Sequence, residues 1–347
     1  MGGANKKAFA SELYSRQVIL NELGWKGQRK LAKSKVAIVG LGGLGTVSSL
    51  YMALAGVGHL RLIDQDTVET PNLHRQILYS VDDLHYPKVE VAAERLKKLN
   101  PLLKTEPVSE NVNAGNVEKL LAEVDLVVDG LDNMFTRYLV NRACVKMGVP
   151  YVFGAAIGLE GNLSVFAPPE TGCLECLLPN ISDSDLRTCD TRGVVGATPG
   201  IIGAMQAMEA IKVLTGMGLP LKGKLMVCDF NDMCFTTVDT SKAANCPACQ
   251  GTLSSLERRE RLVWLCSRDT VNINPEKPSK LNLDEVYEAV RQRFNVRLKS
   301  HLAIMFDYKG LEVSLFKGGR MLIKNVKDKA TALKAYRAIL KKLDIAQ

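Results

Sequence analysis

The chain has 347 residues, 46% of them hydrophobic and 24% charged, with a formal net charge of +8 at pH 7. These proportions are ordinary for a globular protein with a buried core, and the length predicts two domains of roughly 150 residues each. No apolar run reaches the ~18 residues of a membrane span, and no apolar block follows the N-terminal lysines as in a secretory signal. We therefore predict a cytoplasmic protein without a membrane partner.

Residues 8–33 are predicted to form one or two amphipathic helices ahead of a sheet. A short apolar strand, KVAIVG, is followed by the glycine turn LGGLG, the helix TVSSLYMALAG and the strand HLRLID. This is a βαβ unit, and strands and helices go on alternating as far as YVFGAAI (151–157). The pattern predicts an α/β fold in which a doubly wound, mostly parallel, Rossmann-like sheet has helices on both faces.

The pattern changes after residue 160, where a polar stretch leads into a predicted long helix, PGIIGAMQAMEAIKVLTGMG. A predicted strand pair and a CPAC sequence follow. We predict a domain boundary between residues 251 and 262, which separates a first domain (1–250) from a small α+β domain (262–347). Much of the excess positive charge follows residue 250, interspersed with acidic and apolar residues. That distribution is typical of solvated helix faces, and a nucleic-acid surface is the alternative.

The glycine turn is the first candidate binding site, because Gly40, Gly42, Gly43 and Gly45 follow a strand and open a helix. Glycines there let backbone N–H groups approach a phosphate at the positive end of the helix. Asp64 ends the next strand, where a carboxylate can bind ribose hydroxyls. These features alone predict an adenine nucleotide, with NAD as the default ligand and a glycine turn without a ligand as the alternative.

The charges that follow favour ATP over NAD. Arg75, Lys88 and Asp132 lie at the carboxyl ends of successive predicted strands or at the adjoining helix starts, where a doubly wound sheet holds its ligand. A dehydrogenase needs few fixed cations near its pyrophosphate. Phosphoryl or nucleotidyl transfer needs several fixed cations beside the phosphates, together with a carboxylate for Mg²⁺.

Taken together, SRQVIL, GLGGLG, DQDTVETPNLHRQ, the lysine at the next helix start and DNMFTRYLVN resemble the ThiF/MoeB/ubiquitin-activating superfamily over residues 10–250. The resemblance implies a sheet that binds ATP and a ubiquitin-like or sulfur-carrier protein whose Gly-Gly tail is laid across it. The tail carboxylate would attack the α-phosphate, giving an acyl-adenylate and pyrophosphate.

The resemblance also implies roles for individual residues. Asp64 would bind ribose, Asp132 would hold Mg²⁺, and Arg16 would reach ATP from a partner subunit, which implies a homodimer. Contacts to the phosphates and the rest of the nucleotide would come from the glycine turn and from Asp66, Asn72, Arg75, Gln76, Lys88 and Asn133.

Nine cysteines in a chain without a secretory signal indicate a reducing compartment, where paired cysteines bind metal or do chemistry. Cys173 and Cys176 form one CxxC pair, and Cys246 and Cys249 form another. Four thiolates complete a closed tetrahedral site, so we predict structural Zn²⁺. A redox dithiol is the alternative for either pair alone.

Cys189 is the candidate nucleophile, since the flanking Arg187 and Arg192 could lower the pKa of its thiol. Its position matches the cysteine with which many family members form a thioester or persulfide, and an incidental thiol is the alternative. Cys266 is predicted to be a strand cysteine. Three further cysteines are predicted to pack in the core: Cys144, Cys228 and Cys234.

Three functional hypotheses follow. The first is adenylation of the carrier, thioester formation on Cys189 and transfer to a conjugating enzyme bound by the C-terminal domain. The second is adenylation only, for sulfur transfer in molybdopterin, thiamine or tRNA thiolation. The third is a zinc-stapled nucleotide-binding or nucleic-acid-binding module without catalysis.

Overall fold

The computed structural model describes residues 3–183, 192–252, 262–264, 269–275 and 280–345. Its larger sheet has eight strands in the order β3-β2-β1-β4-β5-β6-β7-β8. These strands are β1 (Lys35–Val39), β2 (His59–Ile63), β3 (Lys104–Val108), β4 (Leu126–Asp129), β5 (Tyr151–Ile157), β6 (Glu160–Phe166), β7 (Lys224–Asp229) and β8 (Cys234–Asp239).

Strands β3, β2, β1, β4 and β5 are parallel, and β6, β7 and β8 continue the sheet as antiparallel strands. The predicted mostly parallel, doubly wound α/β sheet is confirmed. Strand β6 was not predicted, because Gly161 and Asn162 interrupt its apolar pattern. Glycine is needed at position 161, since a Cβ there would lie 2.4 Å from Ile202 Cδ1.

Helices cover this sheet, and the segment predicted as one or two helices over 8–33 forms three. Tyr14 separates the first two, and Gly24, at φ +53°, begins the third. The helices are α1 (Gly3–Leu13), α2 (Ser15–Val18), α3 (Gly24–Lys33), α4 (Gly43–Ala55), α5 (Lys88–Leu99), α6 (Val117–Leu120), α7 (Met134–Met147), α8 (Leu174–Leu177), α9 (Ala197–Thr215) and α10 (Pro247–Gln250). No helix in the described ranges has the length and apolar character to cross a membrane.

Close packing of α4 against α9 places the glycine turn beside the long helix. A Cβ on Gly203 would lie 2.7 Å from Leu44 O, so the small residue permits the contact. The side chains of Val36 and Ile38 on β1 are fully buried beneath these helices. The N-terminus of α4 is thereby fixed at the carboxyl edge of the sheet.

A second sheet with the order β11-β12-β13-β14-β10-β9 forms after residue 262, and all its strand pairs are antiparallel. Its core includes Phe306 and Tyr336, which confirms the predicted small α+β C-terminal fold. Its elements are β9 (Leu262–Trp264), β10 (Val271–Ile273), α11 (Leu283–Arg291), β11 (Asn295–Lys299), β12 (Ala303–Tyr308), β13 (Leu311–Phe316), β14 (Met321–Lys324) and α12 (Lys329–Lys342). The exact domain boundary stays a prediction.

Two of the three cysteines predicted for the core are buried, namely Cys144 and Cys228. The prediction for Cys234 is wrong, because it is exposed on β8. All six residues of that edge strand are exposed, so its apolar pattern does not correspond to burial.

Candidate active site

The glycine turn joins β1 to α4 at the carboxyl edge of the larger sheet. Gly40 adopts φ +90°, in the left-handed region that favours glycine. A Cβ on Gly45 would lie 1.9 Å from Gly40 O, and one on Gly130 would lie 2.1 Å from the same oxygen. The turn therefore requires these glycines. Gly42 caps α4, which begins at Gly43, so the positive end of the helix is free to meet an anion.

Asp64 connects the end of β2 to this turn. Its Oδ2 accepts a hydrogen bond from Leu41 N at 2.7 Å, and its Oδ1 accepts one from Asp66 N at 2.7 Å. Burial raises the pKa of Asp64, and the positive charge of Lys88 partly offsets that rise. The carboxylate thus lies beside the glycine turn, as its predicted contact with ribose requires.

Lys88, the first residue of α5, is only 5% exposed. Its Nζ lies 3.2 Å from Asp66 Oδ2. Burial lowers the pKa of Lys88, but the carboxylates of Asp66 and Asp64 outweigh that effect and raise it. The ammonium group is therefore held in its charged form, which suits contact with phosphate.

Arg75 and Gln76 lie against the same turn. A Cβ on Gly43 would be 3.6 Å from Arg75 Cγ, and one on Gly42 would be 3.9 Å from Gln76 Nε2. Gln76 Nε2 donates to Asn72 Oδ1 at 2.7 Å, while Arg75 Nη1 donates to the Pro71 carbonyl at 2.8 Å. The structure therefore brings these predicted residues together around the start of α4.

Asp132 and Asn133 follow β4 at the same edge, next to Gly130. The Asp132 side chain is exposed. Asn133 caps α7 by accepting from Thr136 N at 2.9 Å, and its Nδ2 donates to Asp132 Oδ1 at 3.1 Å. Asn133 therefore orients Asp132 and starts the helix, and its direct contact with nucleotide stays a prediction.

A buried charge network beneath this loop was not predicted from sequence. Arg137 Nε lies 3.0 Å from Asp129 Oδ2, which also accepts from the Tyr151 hydroxyl at 2.7 Å. Arg137 Nη2 donates to the carbonyls of Leu131 and Gly154 at 2.8 and 2.9 Å. These contacts fix the backbone just before Asp132. The only available sequence signal was the arginine within DNMFTRYLVN.

Arg16 stands apart from this cluster. It is exposed on α2, and within the described residues no hydrogen bond or ion pair joins it to the glycine turn. Its predicted contact with ATP would have to be made across a subunit interface, and it stays a prediction.

The four CxxC cysteines converge as predicted. Sγ separations are 3.9 Å for Cys173–Cys176, 3.7 Å for Cys173–Cys246 and 3.6 Å for Cys176–Cys249, and all four sulfurs lie within 4.8 Å of one another. Tetrahedral zinc with Zn–S bonds of about 2.3 Å requires sulfur separations of about 3.8 Å. The site fits a structural Zn²⁺, with no ligand position left for substrate.

The cysteine cluster is attached to α7. Asn141 accepts a hydrogen bond from Leu174 N at 2.9 Å, and Arg142 Nη2 lies 2.8 Å from Glu175 Oε2. Zinc would therefore hold α8 and α10 together and keep both against the helix that begins at the Asp132 loop.

Cys189, its neighbour Arg187 and the strand cysteine Cys266 lie outside the described residues. The described chain is anchored on both sides of Cys189. Asp183 Oδ2 accepts from Phe135 N at 3.3 Å at the start of α7, and Arg192 Nη1 donates to Glu160 Oε2 at 3.1 Å on β6. Arg192 is therefore paired with Glu160 on β6.

Comparison with known proteins agrees with this geometry. The model of the ThiF family matches residues 14–248. The chain is 41% identical over 239 residues to the sulfur carrier protein ThiS adenylyltransferase of Escherichia coli K12, which covers 69% of this chain and 94% of that protein. It is 42% identical over 246 residues to the SAMP-activating enzyme E1 of Haloferax volcanii, with 70% and 91% covered.

Among solved structures, Escherichia coli MccB with AMPCPP and MccA has a TM-score of 0.62 at 28% identity and covers 69% of this chain and 74% of that chain. The family match contains the glycine turn and every charged residue assembled around it. The resemblance inferred from sequence is confirmed, and the chain belongs to the ThiF family.

Proposed function

We propose that this protein uses ATP to adenylate the C-terminal Gly-Gly carboxylate of a ubiquitin-like or sulfur-carrier protein. The observation that carries the proposal is the clustering of Asp64, Arg75 and Lys88 at the glycine turn. A glycine turn alone would suit many nucleotides. Fixed cations beside it suit a reaction in which charge develops on phosphate. One relative is named as an adenylyltransferase of a sulfur carrier and another as an activating enzyme, and both names support the same class of reaction.

In this reaction, a carboxylate oxygen of the carrier forms a bond to the α-phosphorus of ATP. The bond from that phosphorus to the bridging oxygen breaks, and pyrophosphate leaves with the electron pair. Arg75 and Lys88 would stabilise the charge on the phosphates, while the N–H groups at the start of α4 bind them. Asp64 would hold the ribose so that the α-phosphate faces the incoming tail.

Two metal ions fit the residues present. Asp132, exposed at the carboxyl edge, would hold Mg²⁺, which neutralises phosphate charge when bound. Zn²⁺ on Cys173, Cys176, Cys246 and Cys249 would be structural.

A second step would follow on Cys189. Its thiolate would attack the acyl carbon of the adenylate, giving a thioester as AMP leaves. The anchors at Asp183 and Arg192 favour this step, because they tie the ends of the intervening segment to α7 and β6 beside the site. The carrier would then pass to a conjugating enzyme bound by the C-terminal sheet. The alternative is adenylation only, with sulfur supplied by another protein.

The test of the first step is ATP–pyrophosphate exchange that depends on a protein ending in Gly-Gly. We expect Arg75→Ala to lower exchange about 100-fold, as loss of one charge-stabilising donor does in other active sites. Lys97→Ala is the matched control, since Lys97 is exposed at the far end of α5. Exchange that persists in Arg75→Ala would contradict the phosphate site, and a wild-type chain without exchange would favour a non-catalytic module.

The test of the second step is a thiol-reducible adduct between the chain and its carrier, detected by mass spectrometry after incubation with ATP. We expect Cys189→Ala to abolish the adduct while exchange continues. If the wild-type chain exchanges but forms no adduct, the adenylation-only alternative is correct.

A further inference from the structure

Arg320 of the C-terminal sheet reaches into the nucleotide-binding domain. Its Nη2 donates to the Gln65 carbonyl at 2.7 Å and to Ser109 Oγ at 3.2 Å. Its Nη1 donates to Asn272 Oδ1 at 2.7 Å, within its own sheet. The guanidinium thus bridges the two sheets through donors that point in fixed directions.

Burial and an aromatic contact hold the Arg320 side chain in this position. Arg320 is 4% exposed, and its guanidinium carbon lies 3.6 Å from the centre of the Phe316 ring. Burial lowers the pKa of Arg320 to about 10, with partial compensation from Asp66 and Asp64. The group is therefore still charged at neutral pH, and the carboxylates that offset its burial belong to the nucleotide site.

The residue that Arg320 holds is Gln65, which lies between Asp64 and Asp66. Asp64 binds Leu41 N in the glycine turn, and Asp66 pairs with Lys88. The Gln65 side chain is itself held by Asn111 Nδ2 at 2.8 Å. Arg320 consequently fixes the Gln65–Asp66 peptide group, next to the carboxylates that contact Leu41 N and Lys88.

We propose that Arg320 is a positioning residue of the nucleotide site, through which the C-terminal sheet sets the orientation of the ribose-binding Asp64. This inference rests on the proposed function. The simpler reading is that Arg320 only attaches one sheet to the other. The two readings differ in one measurable respect: a positioning role affects recognition of the ribose hydroxyls, and simple attachment affects stability alone.

The experiment is calorimetric titration of the full-length chain with ATP and with 2′-deoxy-ATP, below the unfolding transition of each variant. The readout is the ratio of the two affinities. We expect the wild-type chain to prefer ATP by roughly tenfold, because a hydrogen bond to a charged group contributes about that factor. Arg320→Met, which keeps an unbranched stem beside Phe316 and removes the donors, should bring the ratio close to one.

Two further variants complete the test. Arg320→Lys keeps the charge, but a single ammonium group cannot donate to Asn272 and Gln65 as the two guanidinium nitrogens do, so we expect an intermediate ratio. The same variant replaces Arg320→Met in the test if Arg320→Met does not fold. Glu90→Ala is the matched control, because Glu90 Oε1 on α5 accepts from His301 N of the C-terminal domain at 2.9 Å, away from the Arg320 contacts. It should reduce thermal stability and leave the ratio at the wild-type value.

The outcomes separate the two proposals. A wild-type ratio in the folded Arg320 variants would overturn the positioning role, and so would an equal loss of ratio in Glu90→Ala. A wild-type chain that does not bind ATP would instead overturn the proposed function, and the positioning role with it.

Discussion

At the scale of single residues, Asp64 is subject to opposing demands. Asp64 is half-buried, and burial raises the pKa of its carboxyl above that of an ordinary aspartate. Contact with ribose nevertheless requires a hydrogen-bond acceptor. The hydrogen bonds from Leu41 N and Asp66 N and the charge of Lys88 keep the ionised form accessible.

We expect affinity for ATP to fall on acidification at a pH above about 3.9, the ordinary pKa of aspartate. The raised pKa of Asp64 means that a proton binds earlier and removes an acceptor. The sign for stability is the opposite: a carboxyl whose pKa is raised by folding stabilises the fold at low pH and loses that contribution as pH rises. Protonation of Asp64 should therefore weaken ATP binding without destabilising the fold.

The measurement is calorimetric titration with ATP between about pH 7 and about pH 4. Titration of Asp64→Asn over the same range corrects for the protonation of ATP itself. The variant should bind more weakly at neutral pH and show a flatter profile. Parallel profiles in the two proteins would show that another group controls the pH dependence.

Which site residues were predictable depended on how far their partners lie along the chain. Gly40, Gly45 and Asp64 belong to one βαβ unit, so a short pattern is enough to predict that they lie together at the glycine turn. Arg137 and Arg320 donate hydrogen bonds to backbone carbonyls that no side-chain pattern marks. Arg320 contacts a residue 255 positions away. That contact depends on how two sheets pack, which local periodicity does not encode.

At the scale of elements, strands and helices with clear periodicity were predicted well, including α5, α7, α9 and β5. Errors arose where chain direction or burial departs from the usual pattern. Strand β6 contains a glycine that makes room for α9, and β8 is apolar in part but exposed. Both lie in the antiparallel half of the sheet, which the alternation of strand and helix does not specify.

The cysteine cluster joins elements that are 73 positions apart in sequence. We expect the purified chain to contain one zinc ion and Cys246→Ser to lose it. If the free zinc concentration is about 100 times the dissociation constant, loss of the metal lowers the free energy of unfolding by about 3 kcal/mol. That change lowers Tm by about 6–12 °C in a domain of this size. Metal analysis and thermal unfolding measure these effects.

Cys234→Ser is the control for this substitution, because Cys234 is exposed and lies outside the cluster. It should keep both the zinc and the Tm. A metal-free wild-type chain with the same Tm would contradict a structural role for zinc.

At the scale of the whole molecule, the homodimer predicted from the resemblance would account for the exposure of Arg16 and of several apolar side chains. Tyr51 and Leu54 on α4 are 50% and 41% exposed, and Met208 on α9 is 49% exposed. These two helices pack on each other next to the nucleotide site. A second copy that covered this region could bring its Arg16 to the site.

Subunit mixing tests this arrangement. Arg16→Ala and Arg75→Ala should each lose nearly all ATP–pyrophosphate exchange. A mixed dimer would contain one intact site, with Arg75 from one chain and Arg16 from the other. After random exchange of subunits, half of the dimers are mixed, so about a quarter of wild-type activity should return. Activity that does not rise on mixing, in a sample shown to exchange subunits, would place Arg16 outside the partner's site.

The two outer strands of the larger sheet give its edges different capacities to pair. β3 contains Pro107, which has no N–H to offer a further strand. β8 has no proline, and Phe235 and Val238 on it are exposed. An extended segment from another molecule can therefore lengthen the sheet most readily at β8. At high protein concentration, we expect self-association to begin at this edge. Conditions that cover β8 should therefore keep the protein monodisperse.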